Sequence, residues 1–183
     1  PPGDDDSEDA AGYSVNFGNE RVIVGYWHNW EEPSSPKYVP FTEIPEEYNV
    51  ICVAFADVAS DGTVSISNPS KSDIQVAKNK GQKVILSIGG ELGTVALTDE
   101  ESVNKFVNSL IDVVLRDEYD GVDIDYESGS FVGSELESLL AANEALLNSP
   151  RLPSGFMFTM APETLYVLAD GLAGAMNYYQ ETI

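Results

Sequence analysis

Residues 120–127 read DGVDIDYE, with carboxylates at positions 120, 123, 125 and 127. From Val122 onward acids alternate with the apolar residues Val122, Ile124 and Tyr126. Residues two apart on a strand point the same way, about 6.6 to 6.8 Å from one another. Asp123, Asp125 and Glu127 therefore share one face. Three acids in a confined, partly desolvated row do not all ionise cheaply, because burial and like charge both raise the affinity for a proton. The row is expected to hold at least one proton near neutrality as a coupled group. A carboxyl kept protonated in a pocket is a general acid able to protonate the oxygen of a glycosidic bond. Glu127, last on the strand, nearest the rim and longest in reach, is the expected donor and the expected store of that proton. Asp125 would share it, and the deeper Asp123 would orient or polarise Asp125. Interleaved acids also suit a hard cation, but the Gly and Glu spacing of an EF-hand loop is missing, so neither metal nor cofactor is expected.

The elements that carry this row recur with a regular beat. β-branched runs begin near Val22 (VIVGYW), Val50 (VICVAFA), Val84 (VILSIGG), Tyr119 (YDGVDIDYE) and Phe156 (FMFTMAPE). Between them lie helix signals. Thr98 with Glu101 has the form of a capping box ahead of an apolar stripe at Val103, Phe106, Val107, Leu110, Ile111 and Val114. Ser134 with Glu137 repeats that form before a run of leucines, and Ser70 to Lys80 is a shorter helix stopped by Gly81. Strands alternating with helices predict a parallel β/α protein. The first strand is followed by GYWHNWEEPSSP, which lacks the Gly-rich phosphate turn of a doubly wound sheet. SIGG, DIDYE and MAPE all fall at strand C-termini, where a (β/α)₈ TIM barrel keeps its functional residues. Five β/α units are expected, against the eight of a whole barrel. The first and fifth strands are then open edges, and a partner chain or a further C-terminal segment would complete the barrel.

Composition narrows the partners. Nine Lys plus Arg against 31 Asp plus Glu give a net charge of −22, a field that repels nucleic acid and anionic membrane surfaces. The cluster DDDSED lies within residues 1–20, read as an acidic linker or tail; residues 21–183 are the domain. No run reaches the roughly 18 to 20 apolar residues of a membrane span. Cys52, the single cysteine, sits in VICVAFA and reads as a small core residue. His28, the single histidine, reads as structural or as a rim contact.

DGVDIDYE fits D-G-x-D-x-D-x-E, the signature that family 18 glycoside hydrolases carry on the fourth barrel strand. GYWHNW, VILSIGGELG and FTMAPETLYV resemble the bacterial chitinases of that family, in order, over roughly residues 21–183. The resemblance implies a secreted enzyme acting on chitin or N-acetylglucosamine oligosaccharides. Glu127 would be the proton donor, with Asp125 turning between Asp123 and Glu127. It also implies that the substrate's own 2-acetamido oxygen attacks the anomeric carbon, giving an oxazolinium ion and retention of configuration. Ser87 would support Asp123, Gly89 and Gly90 would permit close backbone approach, and Tyr26 and Met160 would face the barrel interior. Trp27, Trp30 and Tyr166 are candidate sugar platforms, and Glu163 a candidate substrate contact. The alternatives are an endo-β-N-acetylglucosaminidase acting on N-glycans, or an inactive chitin-binding fragment. The family's Tyr and Trp from strands six to eight have no counterpart in these 183 residues.

Overall fold

The computed structural model describes residues 21–31, 37–127, 133–162 and Tyr179. In chain order its strands are β1 (Val24–His28), β2 (Val50–Ala54), β3 (Asp57–Val58), β4 (Val64–Ser65), β5 (Lys83–Gly89), β6 (Gly121–Asp125) and β7 (Met157–Met160). The helices are α1 (Lys71–Asn79), α2 (Glu100–Asp117) and α3 (Ser134–Leu147), with a 3₁₀ turn at Phe41–Glu43. Five strands form one parallel sheet in the order β1-β2-β5-β6-β7. Each new strand joins the outer side of its predecessor and the order never reverses. A doubly wound sheet reverses direction at its switch point, whereas successive units of a barrel do not. The fold is thus a β/α array of the kind from which a TIM barrel is built.

Alternation sorts the strand residues between two faces. Ile51, Val53, Val84, Leu86, Ile88, Val122 and Ile124 belong to the large core beneath the helices. The opposite face has a small apolar floor of Val50, Cys52, Ile85 and Met157. Everything polar on that inner face must therefore find partners among its neighbours. At the β1 edge, Val22, Ile23 and Val24 are exposed.

The helices form where the apolar stripes place them, but two caps differ from expectation. In α2 the box is Asp99 with Ser102, not Thr98 with Glu101. Asp99 accepts the Ser102 N–H at 2.8 Å, and Ser102 Oγ accepts the Asp99 N–H at 3.2 Å. Asp is a stronger N-cap than Thr, and the short Ser102 side chain reaches back within one turn. α3 has no side-chain cap: Gly133, at φ 59°, is its N-cap and Ser134 its first residue. α1 follows the expected reading, capped by Ser70 with Asp73 and followed by Gly81 at φ 84°. The short β3–β4 hairpin was not foreseen, since two-residue strands are too brief to show a period.

Asp120, the first acid of the motif, does not join the row. It accepts the Val84 N–H at 2.9 Å and lies 3.2 Å from both Lys78 Nζ and Lys83 Nζ, fastening the entrance of β6 to β5.

Candidate active site

The inner face of β6 carries the row. Asp123 is 2% exposed and Asp125 9%, while Glu127, past the strand end, is partly exposed. Three hydroxyls from three other strands converge on Asp123. Tyr26 on β1 and Ser87 on β5 each donate to Oδ2 at 2.8 Å, and Thr159 on β7 donates to Oδ1 at 2.6 Å. An ionised carboxylate only accepts, so three donors suit its two oxygens. The register explains the meeting: Ser87 pairs with Asp123, and Asp123 with Thr159.

Asp125 is surrounded differently. Burial first, then the charges of Glu127 and Asp123, then a hydrogen bond with Glu127 push its carboxyl up to about 6. The raised proton affinity thus belongs to the middle acid, which is hydrogen-bonded to the outer one. Asp125 and Glu127 form one hydrogen-bonded carboxyl pair, within which a proton can pass to the outer acid. Below the row, burial above all pushes the Cys52 thiol up to about 12, with the Asp123 charge adding to it, so it stays neutral as a core residue. Burial, followed by the charge of Asp123 and the hydrogen bond to it, raises the Tyr26 phenol too, so it remains a proton-bearing donor.

Gly89 and Gly90 close the β5 side. Gly89 has φ 118°, and a Cβ there would lie 2.2 Å from the Asp125 carbonyl oxygen. Gly90 has φ 80°, donates its N–H to that oxygen at 2.7 Å, and would meet the Phe55 ring at 2.6 Å with a Cβ. A side chain at 89 would force β5 away from the Asp125 backbone, and one at 90 would drive into the Phe55 ring.

Two assignments are corrected. Trp27 is 6% exposed, packs edge-on to Phe41 and donates Nε1–H to the Val39 carbonyl at 2.7 Å. Odd and even residues of β1 face opposite ways, so Tyr26 points to the acids and Trp27 to the core. Met160 pairs with Ile124 and packs partly buried against the core beneath the helices. Thr159 takes the inner position. It was missed, although strict alternation from Met157 would have selected it. Trp30 is 41% exposed and stacks on Phe55 with ring centroids 6.4 Å apart. His28 Nδ1 lies 2.8 Å from the Trp30 carbonyl oxygen, a structural contact at the rim. Glu163 and Tyr166 lie outside the described residues. Among the described residues, no group of three His, Cys, Asp or Glu side chains is arranged to hold a metal ion.

The sequential parallel β/α sheet, with carboxylates at the C-terminal end of its fourth strand, has the layout of a barrel hydrolase. The family model for glycosyl hydrolases family 18 matches residues 22–175. Endochitinase 4 of Metarhizium robertsii is 32% identical over 169 residues, covering 80% of this chain and 49% of its own. Chitinase Chi52 of Paenibacillus xylanexedens is 32% identical over 172 residues, covering 80% of this chain and 31% of its own. The crystal structure of a GH18 chitinase from Chromobacterium violaceum superposes with a TM-score of 0.70 at 38% identity, covering 80% of this chain and 41% of that one. The chain belongs to glycosyl hydrolase family 18, and it spans half or less of the length of these relatives.

Proposed function

We propose that the chain is the N-terminal part of a catalytic domain that hydrolyses β-1,4-linked N-acetylglucosamine polymers, with Glu127 as proton donor. The observation that carries this reading is Asp125. It bonds Glu127 while three hydroxyls hold its other neighbour, Asp123. Glu127 gives its proton to the glycosidic oxygen as the bond to the anomeric carbon breaks. The acetamido oxygen of the same sugar forms the new bond to that carbon. The attack is intramolecular, with the high effective molarity of a held reactant. Asp125 faces the positive charge developing on the acetamide nitrogen. Water then opens the oxazolinium ion, returning a proton to Glu127 and retaining configuration. No second carboxylate is needed across the sugar.

The N-acetyl group is thereby a reactant, so the substrate is chitin, its oligomers or another β-1,4-linked N-acetylglucosamine chain. A strongly acidic protein is compatible with an uncharged polymer, and an insoluble substrate fits an extracellular location. Trp30, exposed at the rim and stacked on Phe55, offers a flat apolar face for a sugar ring.

Side-by-side assays of the full-length protein on chitin oligomers and on an N-glycosylated protein test the proposal. Cleavage of the oligomers by the wild type, lost in Glu127→Gln, is expected. Release of glycans from the glycoprotein alone would replace it with the N-glycan activity.

A further inference from the structure

The backbone between the two outer acids is held from both sides. The Asp125 carbonyl accepts the Gly90 N–H at 2.7 Å. The N–H of that same peptide, carried by Tyr126, donates to the Tyr179 hydroxyl at 2.7 Å. This occurs where the sheet runs out, just past the bond from the Ala161 N–H to the Ile124 carbonyl at 2.9 Å. Tyr179 comes from 53 residues downstream and is 0% exposed. Its oxygen lies 3.2 Å from the Tyr126 carbonyl and 3.4 Å from that of Ile124, so the hydroxyl both accepts from and donates to the end of β6. A phenylalanine would fill nearly the same volume; only a hydroxyl reaches the strand.

The plane of the Asp125–Tyr126 peptide fixes the directions in which the Asp125 and Glu127 side chains leave the backbone. We propose that Tyr179 is a positioning residue, its hydroxyl clamping the end of β6 so that Glu127 stays within hydrogen-bond reach of Asp125. The inference rests on the hydrolytic reading above. It adds a residue remote in sequence from the acid row, acting through the backbone without touching substrate. A donor displaced by about 1 Å loses on the order of 10² in rate, which sets the size of the effect.

The test is Tyr179→Phe in the full-length protein, assayed on chitin oligomers well below its melting temperature. A clamp predicts that kcat falls at least about 10-fold, KM stays within about 2-fold, and the ionisation near pH 6 moves toward the ordinary carboxylate range. An unchanged kcat and pH profile, even with a lowered melting temperature, would reduce Tyr179 to packing and overturn the proposal. Amide exchange at Tyr126 in the wild type decides the matter if the variant does not fold. Slowing by about 10³ or more supports the clamp, and exchange at the rate of a free amide overturns it. A wild type that cleaves no oligomer refutes the hydrolytic reading instead, and the exchange measurement separates the two failures.

Discussion

Replacing Asp125 with asparagine removes the carboxyl whose proton is held to about pH 6, while keeping its size. Raised from 3.8 to about 6, that group favours its protonated form by about 3 kcal/mol at most. The row opens to water at its Glu127 end, and screening there reduces the figure to about 1–2 kcal/mol. Because the folded value lies above the ordinary one, the stabilisation is full below about pH 3.8 and is lost as pH rises through about 6. Asparagine cannot ionise, so it escapes that loss. Urea unfolding of wild type and Asp125→Asn at pH 4 and pH 7.5 isolates the effect, since the remaining carboxylates contribute to both proteins. The variant should gain about 1–2 kcal/mol on the wild type between the two pH values. A stability difference that stays constant within about 0.3 kcal/mol would refute the raised proton affinity of Asp125.

Thr159→Val keeps the shape of the side chain but removes the 2.6 Å bond to Asp123, which is 2% exposed. A loss of about 1.5–3 kcal/mol in urea unfolding is expected, and a change below about 0.3 kcal/mol would make the hydroxyl dispensable. Trp27→Ala empties a core position and should destabilise by about 3–5 kcal/mol. Trp30→Ala should leave stability within about 1 kcal/mol but weaken oligosaccharide binding in calorimetry; the opposite pattern would reverse the roles of the two indoles.

The acid row was legible because its period of two is unmistakable between Val122, Ile124 and Tyr126. The sequential sheet was legible too, since the apolar runs at Val50, Val84 and Tyr119 are each followed by a stripe or cap signal before the next strand. What sequence left undetermined was direction at strand ends. Trp27 and Trp30 are both aromatics near the end of one strand, and only the phase of β1 sends the first into the core and leaves the second at the rim. Met160 was assigned to the inner face by resemblance, where alternation from Met157 selects Thr159. That Asp125 and Glu127 share a hydrogen bond is a matter of side-chain proximity that spacing alone does not fix. Tyr179 had no signal at all, because a contact spanning 53 residues leaves no local pattern.

The most direct measurement is the turnover of Glu127→Gln on chitin oligomers, alongside its affinity for them. Glutamine preserves shape and hydrogen bonding but has no proton of suitable acidity to give, so kcat should fall by about 10²–10⁴ while binding stays within a few-fold of wild type. Hydrolysis at the wild-type rate would contradict the assignment of Glu127 as proton donor, and with it the role given to the acid row.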